Sequence, residues 1–449
     1  MFEKILNIFK IPDLRRRVMF TLGLLVVLQL GKFIPVPGVD VTRIFHPTDA
    51  TTTNPLFGLV DLFTGGAFSM HSIFALGVMP YITASIILQL LTAVIPYLEQ
   101  LSKQGEEGRK KMTQYSRYMT VGITFIQGAM FGYSTAFAAN PVIMVGHWSF
   151  IFTCAVLMTT GTMFIMWMGE QITERGIGNG ISLIIFVGII SRLPVTISGI
   201  VDQLDQGSIN WMQILFLVGL FVLMVMAIVL LNEGQRRVAI KHGRRMVGSR
   251  MYEGRVHYLP IRINTAGVIP IIFASSILMF PAVILDFVRV SESNVFIDVL
   301  NYVKYMMSPG HPVHEVLYGA LIVFFCYFYT AIMFNPKDVA ENLQKHGVAI
   351  PGYSSGKRTE EYIQKILERV TLPGAVFLAL VAIVPDVVIA QMPAFQMMQL
   401  SSFLGGTSLI IVVGVALDTV RQIENHLRMR NYEGFRTGTV LARRRRSTF

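Results

Sequence analysis

FGLVDLFTGGAFSMHSIFALGVMPYITASIILQLLTAVIP, residues 57–96, decides the fold. Its second half, Ser72 to Pro96, carries no charge and is long enough to cross the hydrocarbon core of a bilayer. Its first half is apolar but short, contains Asp61 and is broken by Gly65 and Gly66, so Phe57 to Met70 cannot cross. Glycine-interrupted apolar backbone at membrane depth survives only where protein buries it or where it lines a cavity. The stretch therefore predicts a stub folded back at membrane depth that continues into a full span. From these residues alone, the stub either lines a cavity or merely packs as a re-entrant loop.

Composition agrees with a membrane setting. The 449 residues are 53% hydrophobic and 14% charged, with mean hydropathy +0.56, against about 25% charged in soluble domains. Cys154 and Cys326 lie far apart inside apolar runs, as small buried thiols do, and argue against a disulfide framework. Met1 to Lys10 reads as a short amphipathic helix. The run Val18 to Ile34 is long for a signal h-region, lacks an A-x-A exit and reads as a retained first span.

Windowed hydropathy predicts ten spans: 18–34, 73–96, 118–138, 149–169, 179–200, 211–231, 265–288, 314–334, 371–390 and 402–420. An even number puts both termini on one side. The segments on that side carry 33 of the 38 Lys and Arg, and only Lys32, Arg43, Arg192, Arg289 and Lys304 fall on the other. Positive charge stays in the cytoplasm, so both termini are expected there.

Two of the cytoplasmic loops are too long to be mere connectors and are expected to protrude past the headgroups. In Asn232 to Asn264, Val238 and Ile240 alternate before Gly243, and Val256 and Tyr258 after it, which predicts a hairpin. Asn335 to Thr371 reads as helix, a turn at Pro351–Gly356, then a second helix opening near Thr359. Basic loops ordinarily enforce topology and touch anionic lipid. Eight Lys and Arg in the first of these loops are dense enough to suit a polyanionic partner such as ribosomal RNA as well.

Several chemistries have no foundation in the sequence. There is no phosphate-cradling P-loop, no H-E-x-x-H and no Cys/His cluster with metal-ligand spacing. The glycines of Gly176–Gly180 suit a tight reversal between two spans rather than a dinucleotide site. Lys32, Asp286, Asp386 and Asp418 all fall near span ends, where snorkelling or the interface tolerates charge. A secondary transporter of small solutes, the runner-up reading, needs coupling charges near the midplane. Instead Ile82 and Ile86, and Ile181 and Ile185, sit four residues apart on single helix faces, an arrangement that ordinary core or lipid-facing packing also explains.

Several ordered motifs carry a family resemblance from end to end. They are PVPGVD at Pro35, FGLVDLFTGGAFS at Phe57, FALGVMPYITASIILQLLT at Phe74, KMTQYSRYMT at Lys111 and ITERGIGNGISLIIF at Ile172. NEGQRRVAIKHGRR at Asn232, LPIRINTAGVIPIIFASSI at Leu259, LPGAVFLALVAIVP at Leu372, GGTSLIIVVGVALDT at Gly405 and RNYEGF at Arg430 complete the set. The chain resembles the SecY family, central subunits of the bacterial protein-conducting channel.

That resemblance implies an all-α polytopic membrane protein of ten helices, in two pseudo-symmetric five-helix halves around a central pore closed by a re-entrant plug helix. It divides the chain into a cytoplasmic N-terminus (1–17), an N-terminal half (18–200, with the plug within 57–70), a C-terminal half (201–420, with loops 232–264 and 335–371) and a basic tail (421–449). The plug is expected at Asp61, Leu62, Phe63, Thr64, Gly65, Gly66, Ala67, Phe68, Ser69 and Met70, and a pore ring at Ile82, Ile86, Ile181, Ile185, Ile272 and Ile411. Stiff β-branched side chains at a constriction exclude water when closed and offer a passing peptide no charge to bind. Gln89 and Asn264 match polar positions of a lateral gate.

The implied function is translocation of unfolded polypeptides across the bacterial plasma membrane, with hydrophobic signal segments released sideways into lipid. The chain would be no enzyme and would hold no cofactor or metal. Drive would come from the SecA motor ATPase or the ribosome, docking at Arg236, Arg237, Arg244, Arg245, Arg250, Arg255, Lys357 and Arg358. SecE and SecG, small membrane subunits, would complete the complex, with signal peptides, nascent chains and anionic lipids as further partners. One departure stands out. The loop tip reads PGYSSG where the family commonly has P-G-x-R-P-G, so Ser354 occupies the arginine position, and an altered motor coupling with retained ribosome binding is expected.

Overall fold

The computed structural model describes residues 11–40, 55–137, 143–207, 209–242, 245–247, 250–252, 256–287, 302–303, 305–307, 310–354, 356–391 and 405–446. Met1–Lys10, Arg244 and Arg255 lie outside the described residues. The chain divides into two compact units, one of Met1–Val195, Asp286–Arg289 and Val415–Phe449, the other of Thr196–Leu285 and Val290–Gly414.

The first unit opens with α1 (Pro12–Gly31) and the stub helix α2 (Pro55–Thr64). Then come α3 (Met79–Val94), α4 (Pro96–Lys103), α5 (Glu106–Ala136), α6 (His147–Arg175) and α7 (Gly180–Ser191). α8 (Leu193–Asp205) follows α7 after a break at Arg192, and from Thr196 on its residues belong to the second unit. The predicted span 73–96 is shorter as a helix. Residues 73–78 are turns, and α3 covers Met79–Val94. Ile95, which precedes Pro96, is extended (φ −96°, ψ 112°), as steric clash with a following proline ring favours, and α4 leaves at 103° to α3. Leu98 and Leu101 of α4 are buried with Leu88 of α3, packing Met112 and Met119 of α5.

The glycine turn between α6 and α7 is pinned by side chains. The amide of Ile177 donates to Thr21 Oγ1 at 3.2 Å, that of Gly178 to Gln422 Oε1 at 2.9 Å, and that of Gly180 to Thr173 Oγ1 at 2.9 Å. Asn179 caps α7 by accepting from the amides of Ile181 and Ser182.

The second unit contains α9 (Trp211–Glu233), the strands β1 (Gln235–His242), β2 (Arg245–Val247), β3 (Arg250–Tyr252) and β4 (Val256–Arg262), and α10 (Ile269–Phe287). α11 (Pro312–Met333), α12 (Pro336–Lys345), β5 (Val348–Ala349) and α13 (Lys357–Ala390) follow. The last helix, α14, runs from Gly406 to Arg446. The predicted hairpin is present, with Val238 opposite Leu259 and Ile240 opposite His257. Its tip carries a second, smaller pairing of β2 with β3.

The two long loops are not separate protrusions. β5 pairs with β1, Lys241 opposite Ala349 and His242 opposite Val348, giving one antiparallel sheet of order β4-β1-β5. Val238, Ile261, Ile350, Ile363 and Leu367 form a buried core beneath it, packed by Leu343 and Tyr362. Hairpin, α12 and the head of α13 therefore fold as one body.

Among the described residues, six helices are long and apolar enough to cross a membrane, and seven if the bent pair α3 and α4 counts as one span. These six are His147–Arg175, Gly180–Asp205, Trp211–Glu233, Pro312–Lys345, Lys357–Ala390 and Gly406–Leu427. The other three predicted spans are helical as α1, α5 and α10 but fall short of that standard. α1 begins among Arg15, Arg16 and Arg17, the uncharged second half of α5 is diluted by glycines, threonines, Ser134 and Gln127, and the apolar helix counted in α10 is only Ile269–Met279.

Candidate functional site

The stub folds against the first unit, and its helix lies earlier than the predicted plug. Asp61–Met70 was expected to be helical; α2 instead ends at Thr64, and residues 65–70 are turns. The reason is local. Gly65 and Gly66 take φ of +65° and +97°, left-handed values that end a helix and that side chains with a Cβ rarely adopt. The glycine pair is thus the stop of the stub helix.

Close backbone contact seats this element. Gly188 of α7 faces the stub so tightly that a Cβ there would lie 2.5 Å from the carbonyl oxygen of Phe63. A Cβ at Gly66 would lie 3.0 Å from the Arg192 guanidinium carbon. Phe68 meets Phe131 of α5 edge-on at 5.0 Å between ring centroids. Asp61, Leu62, Phe63, Thr64, Gly66 and Ala67 are buried, Gly65, Phe68 and Met70 half-buried, and Ser69 exposed.

A polar cluster joins the stub to the end of α7. Asp61 pairs with Arg192, and its Oδ1 accepts the amide of Ser69 at 2.9 Å. Arg192 Nη2 donates to Ser69 Oγ at 3.1 Å, and Lys32 Nζ donates to Ser191 Oγ at 3.3 Å. Lys32 does not snorkel to the interface, as its place at a span end suggests. It is 5% exposed, beside the stub and Ser191. Lys32, Ser191 and Arg192 were not among the predicted site residues. The only sequence signal was a lone arginine following the uncharged run Gly180–Ser191, together with a lone aspartate in an apolar stub.

The ring candidates fall in both units. Ile82, Ile86 and Ile185 of the first unit are buried and Ile181 is half-buried. Ile272 and Ile411 of the second are buried. Within the first unit, Ile185 and the stub residues Phe63 and Thr64 line one small cavity of ≈ 20 Å³, also bordered by Lys32 and Gly188, about the space of a single water.

Of the gate candidates, Gln89 Oε1 is buried with no hydrogen-bond partner among the described residues. Asn264 Nδ2 donates to Asn232 Oδ1 at 3.0 Å and to the Gly267 carbonyl at 3.1 Å, both within the second unit. Arg236, Arg237, Lys357 and Arg358 are exposed on the body formed by the two loops. Arg245 and Arg250 lie on β2 and β3. At the loop tip Tyr353 stacks on Tyr362 at 4.0 Å, and the Ser354 carbonyl accepts from Thr359 Oγ1 at 2.9 Å.

Charge is also buried in the second unit. Glu315 is 5% exposed and accepts the amide of Gly310 at 2.9 Å, with Asp386 near enough to interact with it electrostatically. Beside them Tyr318 of α11 and Thr407 of α14 share a hydrogen bond of 2.5 Å. Asp386 accepts from the Gly406 backbone, so it is tied into this node of α11, α13 and α14 rather than simply tolerated at an interface.

Comparison with known proteins gives a consistent result. The family model SecY matches residues 72–420. A protein translocase subunit SecY of Streptomyces scabiei is 43% identical over 437 residues, covering 95% of this chain and 98% of the relative. Among solved structures, a SecY whose plug domain stabilises the closed channel and maintains a membrane seal superposes with TM-score 0.64 at 18% identity, covering 92% of both chains. Sec61 in a canine ribosome–channel complex superposes with TM-score 0.63 at 16% identity, again over 92% of both. At those identities the structures speak for the fold, whereas the family match and the Streptomyces relative span most of the sequence: the chain belongs to the SecY family.

Proposed function

We propose that this chain is the central, membrane-embedded subunit of a protein-conducting channel, passing unfolded polypeptides across the bacterial plasma membrane and releasing hydrophobic segments sideways into lipid. The observation that carries the reading is the stub. A helix too short to cross, followed by two left-handed glycines, is buried against α7 with its residues beside Ile185. Such an element suits a removable stopper.

In this reading ten helices form two halves, 18–200 and 201–420, with both termini cytoplasmic. The six ring isoleucines form a waist that gates by dewetting. The stub and its turn, Asp61–Met70, close that waist, and Gln89 and Asn264 belong to the lateral gate. A polar contact at such a seam contributes roughly 1 kcal/mol, weak enough for a signal helix to displace.

Conduction is passive, and the energy comes from partners. The merged loop body, with Arg236, Arg237, Lys357 and Arg358 on its surface, is a single platform for the ribosome or the SecA motor. A ribosome-bound Sec61 of the same fold supports the first partner. SecE and SecG complete the complex, and Ser354 at the platform tip alters motor coupling. The relatives lend no support to a small-solute transporter.

The test is reconstitution. Purified chain with SecE and SecG in proteoliposomes should import a precursor protein when SecA and ATP are added. Failure to import, with solute-driven pH change instead, would overturn the reading.

A further inference from the structure

We propose that Asp61 and Arg192 form an electrostatic latch that holds the stub closed from within the first unit. The inference rests on the stopper reading above and adds which residues of this chain set its threshold.

The geometry is specific. Arg192 stands at the break between α7 and α8, where the helix ends and its side chain is released toward the stub. It reaches two points on the stub, the Asp61 carboxylate and Ser69 Oγ, so it bridges the last turn of α2 and the turn that follows. Asp61 is braced in return by the Ser69 amide, and the Gly66 amide donates to the Asp61 carbonyl at 2.8 Å. Gly66 has no side chain where the guanidinium lies. The paired side chains are only 17% and 10% exposed. In so dry a setting, breaking the pair by removing one partner is strongly destabilising.

Lys32 stands beside the latch. Its ammonium lies against Gly65 and Ser191 and repels Arg192 electrostatically. Neutralising either Asp61 or Arg192 removes the contact between them. Both changes act through the same contact. Arg192 is a positioning residue in this scheme.

The experiment is ion conductance of the full complex in planar bilayers, without substrate. Asp61→Asn and Arg192→Gln should each raise resting conductance at least about tenfold, since both shift the closed–open equilibrium. The double variant should be no leakier than Asp61→Asn alone, a coupling that unrelated structural damage does not produce. Arg192→Lys keeps the charge but cannot span Asp61 and Ser69 together, and should leak at an intermediate level if Arg192→Gln does not assemble. Additive effects, or conductance unchanged in the single variants, would overturn the latch. Deleting residues 61–70 separates the two claims. A leaky deletion with sealed single variants defeats only the latch, whereas a sealed deletion defeats the stopper reading and the latch with it.

Discussion

Gly188 and Phe63 approach so closely that α7 has room for a hydrogen and nothing larger: a Cβ at Gly188 would lie 2.5 Å from the Phe63 carbonyl oxygen. The contact is backbone against side-chain position, so no rotamer change can relieve it. Either α7 or the stub must shift.

Gly188→Ala is therefore expected to unseat the stub. Overpacking of this kind costs about 1–3 kcal/mol. Resting ion conductance of the variant complex should rise and its thermal midpoint fall. Gly219→Ala on α9, where a Cβ meets nothing within 4 Å, is the control and should leave both unchanged. Equal behaviour of the two variants would count against a tightly seated stub.

The ring makes a separate prediction. Ile86 is 1% exposed in the first unit and Ile411 is fully buried in the second. Replacing either with glycine removes the branched surface that excludes water, and the resting membrane should become leaky to ions. Truncation of a buried aliphatic also costs about 2–5 kcal/mol, so conductance must be compared at temperatures where the variant complex remains assembled.

The loop platform predicts behaviour in salt. Arg236→Glu with Arg237→Glu should weaken ribosome binding and lower the slope of log affinity against log salt by about 1 per lost phosphate contact. Both arginines are exposed on β1, so the thermal midpoint should not change. An unaltered salt slope would remove these two residues from the docking surface.

The second unit has its own polar test. Tyr318 and Thr407 share a 2.5 Å hydrogen bond between α11 and α14. Tyr318→Phe leaves the Thr407 hydroxyl without that partner and should destabilise the protein by about 1–3 kcal/mol. Adding Thr407→Val should recover part of the loss. Thermal unfolding in detergent reads both effects.

Much of this architecture is legible in the residue pattern, and the gaps have physical causes. Alternation of Val238 with Ile240 and of Val256 with Tyr258 suffices to predict two strands around a turn, but not which face of the second is buried: Val256 and Tyr258 are exposed, and Leu259 and Ile261 face the core. The joining of β5 to β1 is not legible, since two residues, Val348 and Ala349, carry no periodicity. The uncharged run after Ser72 announces a span, but Pro96 and the turns before Met79 trim its helix. Asp61 and Arg192 stand out singly as charges in apolar surroundings. Their pairing is a long-range contact that neither neighbourhood encodes. Lys32 misleads for a related reason. A lysine at a span end ordinarily snorkels, yet here Ser191 and the stub enclose it.

The central claim is that a polypeptide threads this chain at its isoleucine waist. Photo-crosslinkers placed at Ile86 and at Ile411, with a third on the exposed face of α9 at Leu215, can be challenged with a secretory chain arrested midway. Adducts at Ile86 and Ile411, and none at Leu215, are the predicted result; adducts confined to Leu215 or to other outward-facing positions would contradict the account.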